Sequence, residues 1–328
     1  MSFETIGVIG GGAWGTALAQ VAAQAGAVRL WAREAEVVAA INEAHENPVY
    51  LPGVPLSPEI RATAALGDLA ACDALLAVAP AQHLRAVLAG LPRADAPLIL
   101  CAKGIEAGTG LLMSEVAAEA RPRAPVAVLS GPTFAHEVAA GLPAAVTFAC
   151  ADEALGTALA ARLARPVFRP YLSADVIGAE IGGAVKNVLA IACGVVEGRG
   201  LGQNARAALI SRGFAEMTRF GLAKGACAET LAGLSGLGDL VLTCSSVSSR
   251  NFSLGKGLGE GQAAATLLAD RRTVAEGAFT APVLAEVAAG MGVDMPIVGA
   301  VCALLAGEAG VDEVIGRLLA RPLRGEVA

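Results

Sequence analysis

Long apolar runs, paired cysteines, histidine metal motifs and clusters of basic residues are all missing from this sequence. No stretch reaches the roughly 18 uncharged apolar residues that a membrane span needs, so we expect no membrane insertion. The seven cysteines form no CxxC pair and mostly stand in apolar surroundings, which favours buried reduced thiols over disulfides or zinc. The three histidines show neither HxH nor HExxH spacing, so we expect no metal site. The net charge of -6 and the dispersed basic residues argue against a nucleic-acid partner.

The length and the first residues of the chain suggest its organisation and location. A chain of 328 residues is too long for one ordinary core and comfortable for two domains. Met1 leads directly into the first apolar run and leaves no room for a secretory signal. We therefore expect two domains and a cytoplasmic location.

Short apolar runs alternate with helical patterns through the first half of the chain. They are "TIGVI" (5–9), "VRLW" (28–31), "ALLAV" (74–78), "LILCA" (98–102) and "VAVLS" (126–130), with "PAAVTFAC" and "PVFRPY" as two further candidates. This spacing predicts buried parallel strands with crossover helices. The first half should therefore be an α/β domain with a doubly wound, mostly parallel sheet.

The hydrophobic pattern of the sequence changes after residue 172. From Ser173 onward apolar residues recur at helical spacing, at Ile177, Ile181, Val185, Val188 and Ala192. We expect an all-α C-terminal domain over residues 173–328, after an α/β domain over residues 1–172.

A glycine-rich stretch, "IGVIGGGAWGTALA", stands almost at the start of the chain. Gly10, Gly12 and Gly15 form GxGxxG between a predicted strand and a predicted helix. The first glycine serves a tight turn, the second lets a pyrophosphate approach the backbone, and the third lets helix and strand pack closely. The helix N-terminus would attract the negative charge of that ligand. The motif favours a Rossmann dinucleotide-binding domain, although a purely structural turn is the alternative.

The end of the second predicted strand bears on the choice of cofactor. An NAD site usually has an acidic residue there, but this chain reads "WAREAE" and places Arg33 first and Glu34 next. A guanidinium can hold a 2'-phosphate, which favours use of NADP, alone or beside NAD. Arg33 could instead be an ordinary surface arginine.

Lys186 is the only basic residue of an otherwise apolar helical stretch, "VIGAEIGGAVKNVLAIACGVV". Burying an ammonium is costly unless it is paired or its pKa falls, so such a lysine suits proton transfer. Gly182 and Gly183 lie one turn earlier, and we expect them to leave space for a ligand. The alternative is a lysine that reaches solvent and glycines that admit a neighbouring helix.

Three more polar positions suggest a site. Asp239, in "LSGLGDLVLTC", could serve the site or merely cap a helix. Arg250 and Asn251 follow serines that could wrap an anion, although "SSVSSRN" could also be a solvated loop. Lys103 ends the strand "LILCAKG", at the sheet edge where doubly wound folds bind ligands.

These segments together resemble one enzyme family. "GGGAWGTALA", "NPVYLPG", "CAKGIE", "SGPTFAHEVAAGLP", "GGAVKNVLAIACGVVEG", "LSGLGDLVLTCSS", "SRN" and "VAEGAFTA" occur in the order found in bacterial NAD(P)-dependent glycerol-3-phosphate dehydrogenase. The resemblance runs from about residue 5 to about residue 300. It implies an oxidoreductase that reversibly reduces dihydroxyacetone phosphate to sn-glycerol 3-phosphate, the backbone of glycerophospholipids, with NAD or NADP as cofactor.

The resemblance also assigns roles to individual residues. It implies cofactor contacts from Gly10, Gly12, Ala13, Trp14, Gly15, Arg33, Lys103, Ala135, Arg250, Val274 and Glu276. It implies substrate contacts from Lys103, Gly131, Thr133, Lys186, Asp239, Ser249, Arg250 and Asn251. Lys186 matches the catalytic proton acceptor, with Asp239 and Lys103 as catalytic partners. The implied partner is a small-molecule phosphate, and a homodimer is left open.

Two short segments depart from the family pattern. Ala79 and Ala81 flank Pro80 where relatives more often have valine and serine, and Glu46 stands where a basic residue is common. The second departure leaves the contribution of the "AHENPVYLPG" loop undetermined.

Two rival functions are compatible with the residues alone. A related reductase of a carboxylate-bearing ketone, such as a ketopantoate reductase, would use Arg250 in the same way. A non-catalytic sensor of the nicotinamide ratio would keep the glycine motif and have no need for Lys186.

Overall fold

The first half of the protein forms one eight-stranded sheet. The computed structural model describes residues 3–92, 95–269 and 275–322. The strand order is β3-β2-β1-β4-β5-β6-β7-β8, and neighbours run parallel except β6 and β7. The strands are β1 (Ile6–Ile9), β2 (Val28–Trp31), β3 (Ile60–Thr63), β4 (Ala74–Ala77), β5 (Leu98–Leu100), β6 (Val126–Ser130), β7 (Ala144–Cys150) and β8 (Phe168–Ser173).

The central strands β1 and β4 are buried at every residue, because helices cover both faces of the sheet. This explains why they appear in the sequence as continuous apolar runs. The edge strand β3 was not predicted. Its sequence, "IRAT", buries only Ile60 and Ala62, so it has no apolar run to reveal it.

Helices surround the sheet and form the second half. They are α1 (Ala13–Ala23), α2 (Ala35–Ala44), α3 (Leu84–Ala89), α4 (Met113–Ala120), α5 (Ala135–Ala139), α6 (Glu153–Leu163), α7 (Val176–Gly198), α8 (Gly202–Ala223), α9 (Ala228–Leu231), α10 (Asp239–Thr243), α11 (Arg250–Gly259), α12 (Ala264–Leu267), α13 (Glu276–Gly290), α14 (Pro296–Ala306) and α15 (Val311–Leu319). From Val176 onward the described residues contain no strand. The protein therefore has a Rossmann α/β domain followed by an all-α domain, as the sequence predicts.

Helix α7 is the centre of the helical half. Helices α8, α10, α11, α13 and α14 all pack against it. By length and composition α7 could cross a membrane, but 89% of its apolar window is buried inside the protein. Its all-round apolar character is that of a core helix.

Most of the cysteines are buried. None of the seven forms a disulfide in the described parts of the chain, and five are buried. Cys302 is partly buried and Cys227 is exposed, so the majority is buried, as expected.

Candidate active site

The glycine motif forms the turn between β1 and α1. Gly10 has φ +123°, a conformation that L side chains rarely adopt. A methyl group at Gly15 would overlap the Gly10 carbonyl oxygen, whereas one at Gly12 would meet no atom within 4 Å. The first and third glycines are thus required by the turn itself, and the second leaves open space beside bare backbone.

The start of α1 offers unsatisfied donors to an anion. No side chain caps the helix, and its first turn contains no acidic residue. The buried indole Nε1 of Trp14 has no hydrogen-bond partner among the described residues. The uncapped amides and the open space at Gly12 fit the pyrophosphate of a dinucleotide.

Arg33 follows the end of β2, next to Ala32, which packs against Gly11 of the glycine turn. Its side chain is 81% exposed, and its Nη2 lies 3.0 Å from Glu34 Oε1. Burial and the neighbouring Glu34 raise the pKa of Tyr50, while the positive charge of Arg33 opposes that shift. The two residue types that distinguish NADP from NAD therefore form an ion pair with each other.

The chemical centre is a carboxylate held between two amines. Asp239 is completely buried, with Oδ1 2.6 Å from Lys186 Nζ and Oδ2 2.7 Å from Lys103 Nζ. Lys186 Nζ also donates to Thr243 Oγ1 at 2.9 Å. Burial lowers the pKa of Lys186 to about 8; Asp239 opposes this shift and Lys103 adds to it. An amine with this pKa can gain or lose a proton near neutral pH.

The two halves of the protein supply different members of this cluster. Lys103 follows β5 in the sheet, Lys186 lies on α7, and Asp239 is the first residue of α10. Asp239 does not cap α10, so the capping alternative is wrong. Its carboxylate is instead fully engaged with the two lysines.

The predicted role of the glycines before Lys186 is wrong. A methyl group at Gly182 would overlap the Ser235 carbonyl oxygen, and one at Gly183 would lie 3.1 Å from both Lys103 Cγ and Ser130 Oγ. The space is therefore filled by the chain before α10 and by the Lys103 stem, not by a ligand. These glycines allow Lys103 and Asp239 to approach Lys186.

The segment after β6 also reaches the cluster. Lys103 Nζ lies 3.3 Å from the Gly131 carbonyl oxygen, which also accepts a hydrogen bond from Thr133 Oγ1 at 3.3 Å. Ala135, two residues later, begins α5 and packs with Trp14 against the core of the sheet domain. Gly131 and Thr133 are thus near the lysines, and Ala135 is on the side of the glycine turn.

The start of α11 carries the predicted anion-binding residues. Ser249 caps this helix by accepting a hydrogen bond from Phe252 N, which leaves its own O–H available to donate. Arg250 is exposed, whereas Asn251 is buried and donates from Nδ2 to Asn187 Oδ1 at 3.0 Å. Asn187 follows Lys186 in the chain, so α11 is linked directly to the chemical centre.

The start of α13 lies beside Asn251 of α11. Gly277 N donates to Asn251 Oδ1 at 2.9 Å. Burial raises the pKa of Glu276, while the positive charges of Arg250 and Lys103 oppose that shift. Val274 lies outside the described residues.

Two members of the site were missed at the sequence level. Thr243 stands four residues after Asp239, so a helical wheel would have placed its hydroxyl on the same face. Asn187 gives no comparable signal, because its neighbour in space, Asn251, is 64 residues away in the chain.

Comparison with known proteins identifies the family of this chain. The family model for the N-terminus of NAD-dependent glycerol-3-phosphate dehydrogenase matches residues 5–165, and the model for its C-terminus matches residues 175–316. The glycerol-3-phosphate dehydrogenase (NAD(P)+) 1 of Sphingopyxis alaskensis is 66% identical over 326 residues, covering 99% of each chain. The glycerol-3-phosphate dehydrogenase (NAD(P)+) of Caulobacter vibrioides is 62% identical, covering 99% of this chain and 100% of that protein.

Solved structures give the same result. The crystal structure of glycerol-3-phosphate dehydrogenase from Coxiella burnetii has a TM-score of 0.93 and 37% identity, covering 97% of this chain and 99% of that one. With family models over both halves and close relatives over nearly all its length, the chain belongs to the family of NAD-dependent glycerol-3-phosphate dehydrogenases.

Proposed function

We propose that this protein reversibly reduces dihydroxyacetone phosphate to sn-glycerol 3-phosphate with NADH or NADPH, and so supplies the glycerophospholipid backbone in the cytoplasm. The observation that carries the proposal is the buried Asp239 between Lys103 and Lys186. It places a proton-transferring amine in a protein whose glycine turn fits a dinucleotide.

The sheet domain, residues 1–172, holds the cofactor. The amides at Gly12 and Ala13 face the pyrophosphate, Trp14 closes over the dinucleotide, and Arg33 meets a 2'-phosphate where NADP is bound. The bound cofactor supplies the hydride that reduces the substrate carbonyl. Ala135, Glu276 and Val274 complete this site.

The helical domain, residues 173–328, performs the proton transfer. In the reducing direction the Lys186 ammonium donates a proton to the C2 oxygen of the substrate, and in the oxidising direction the neutral amine accepts it. Asp239 orients that amine and favours its charged form, while the positive charge of Lys103 favours the neutral form. The two opposed charges keep both forms of Lys186 accessible.

The substrate is a small phosphate held at the start of α11. The guanidinium of Arg250 is exposed, and Asn251 and Ser249 retain donors for phosphate oxygens. Gly131 and Thr133 lie on the Lys103 side of the site. Anchoring the phosphate converts remote binding energy into orientation of the carbonyl.

A steady-state assay tests the proposal directly. The purified protein is mixed with dihydroxyacetone phosphate and either NADH or NADPH, and the loss of dihydronicotinamide absorbance is followed. We expect turnover with both cofactors, since Arg33 and Glu34 are both present. Strict preference for NADH would remove the role of Arg33, and absence of turnover with either cofactor would contradict the proposed function.

The rival functions are less well supported. Family membership does not favour a ketopantoate reductase, and a panel including ketopantoate in the same assay discriminates between the two substrates. A sensor without turnover would not need the buried ion pair of Lys186 and Asp239. A homodimer remains a prediction, to be tested by light scattering.

A further inference from the structure

The loop after α2 wraps around the back of the glycine turn. Asn47, in the "NPVYLPG" segment, is completely buried. Its Nδ2 donates to the Gly11 carbonyl oxygen and to Thr16 Oγ1, both at 2.8 Å. Its Oδ1 accepts a hydrogen bond from Tyr50 N at 3.2 Å. One side chain thus joins the loop to the glycine turn and to the first helix.

These bonds fix the direction of one peptide group in the turn. The Gly11 carbonyl and the Gly12 N–H belong to the same peptide unit, and in a trans peptide they point in opposite directions. Because Asn47 holds the carbonyl on the protein side, the Gly12 N–H is directed away from the protein interior. Thr16 adds to this arrangement, since its Oγ1 lies 3.4 Å from the Gly11 carbonyl oxygen and also donates to the carbonyl oxygen of the next peptide, at Gly12, at 2.9 Å.

The Gly12 N–H lies on the side of that peptide where the structure leaves space for a ligand. A methyl group at Gly12 would meet nothing within 4 Å, and the Gly12 N–H donates to no other described residue. The buried amide of Asn47 therefore supports, from behind, the donor that lies in the open space.

We propose that Asn47 is a positioning residue for the cofactor: it holds the Gly11–Gly12 peptide so that the Gly12 N–H is presented to the pyrophosphate of the dinucleotide. This inference rests on the proposed function, because it concerns the same dinucleotide site. Asn47 touches neither substrate nor cofactor, so its effect is on the binding of the cofactor and not on proton transfer at Lys186.

A nearby asparagine provides a matched control. Asn42 donates from Nδ2 to the Ala62 carbonyl oxygen at 3.0 Å, and its Oδ1 accepts a hydrogen bond from Ala62 N at 2.9 Å. It fastens α2 to β3 with the same kind of amide bonds but does not touch the glycine turn. If Asn47 only stabilised the fold, the same change at position 47 and at position 42 should alter the Kd of NADH equally.

The test compares Asn47→Asp with Asn42→Asp. The change at position 47 keeps the shape and the acceptor but removes both N–H donors and sets a carboxylate against the Gly11 carbonyl. We expect the Kd of NADH, measured by fluorescence titration without substrate, to rise by at least about tenfold in Asn47→Asp. The KM for dihydroxyacetone phosphate and the kcat at saturating NADH should stay within about twofold of wild type, as should every constant of Asn42→Asp.

A second variant keeps the test decisive if Asn47→Asp does not fold. Thr16→Val removes one acceptor of the Asn47 amide and the hydroxyl bond to Gly12, and we expect it to raise the Kd of NADH by a few fold. An unchanged Kd in the folded variants, or an equal rise in Asn42→Asp, would overturn the inference. Wild-type protein that neither binds NADH nor turns over substrate would instead contradict the proposed function, so the two failures are distinguishable.

Discussion

At the scale of single residues, the two lysines around Asp239 explain how a charged group can remain in the interior. Lys186 is only 6% exposed, and its ammonium is tolerated because Asp239 and Thr243 accept two of its three N–H donors. Asp239 favours the charged form of Lys186, and the positive charge of Lys103 offsets this by lowering the pKa of Lys186. A proton donor that must also act as a proton acceptor needs this balance.

The pH dependence of the two directions follows from the pKa of Lys186. Below about 8 the amine is protonated, so the kcat for reduction should be constant there and fall by about tenfold per pH unit well above it. The kcat for oxidation should show the opposite trend, because that direction needs the neutral amine. Initial rates in both directions across the pH range at saturating substrates measure this. Parallel profiles in the two directions would contradict the assignment.

The sequence predicted some of these residues and not others, for physical reasons. Lys186 was found because a lone cation in an apolar helix is costly. Asp239 stayed ambiguous, because an aspartate after a glycine-rich turn is also a common helix cap. Asn187 was not found, since its partner is distant in the chain and only the packing of α7 against α11 brings the two together.

At the scale of elements, glycines set the distance between α7 and α11. A methyl group at Gly194 would overlap the Phe252 carbonyl oxygen, and one at Gly255 would overlap the Ile191 carbonyl oxygen. The two helices therefore meet backbone to backbone. This close approach holds Arg250 and Asn251, at the start of α11, at a fixed distance from Lys186.

Replacement of Gly255 by alanine should separate these helices. We expect Gly255→Ala to lower the free energy of unfolding by about 1–3 kcal/mol, since the added methyl group has no room. The KM for dihydroxyacetone phosphate should rise as well, because α11 carries the anion-binding residues. Urea denaturation and steady-state kinetics measure the two effects.

Gly299 supplies the control for that experiment. It lies in α14, and a methyl group there would meet no atom within 4 Å. Gly299→Ala should leave kinetics unchanged and stabilise the protein by roughly 0.5–1 kcal/mol, because alanine favours the helix. Equal effects from both changes would mean that the contact between α7 and α11 does not set the geometry of the site.

The elements themselves were mostly predictable from apolar pattern. Buried strands such as β1 and β4 are continuous apolar runs, and α7 is apolar over most of its length. The edge strand β3 was not predicted, because only half of its residues are buried. The partner of each glycine could not be predicted, since close approach depends on helices far apart in sequence.

At the scale of the whole molecule, the two halves are joined by more than the chemical centre. Glu180 of α7 accepts hydrogen bonds from Ser114 N at 2.7 Å and from Ser114 Oγ at 2.6 Å, at the start of α4 in the sheet domain. Burial raises the pKa of Glu180 to about 7 although the Ser114 donors oppose that shift. α7 is thus fastened to the sheet domain a few residues before it presents Lys186.

The central claim is that an amine from the helical half moves the substrate proton in a site whose cofactor is held by the sheet half. The most direct measurement is the kcat of Lys186→Ala, with the Kd of NADH determined alongside. Asp239 keeps Lys103 as a partner in this variant, so the protein should fold. Lys256→Ala, which removes a solvent-exposed amine from α11, is the matched control.

We predict that Lys186→Ala lowers kcat by about a thousandfold while the Kd of NADH stays within about twofold, and that Lys256→Ala changes neither. A Lys186→Ala protein that retains most of its turnover would contradict the claim.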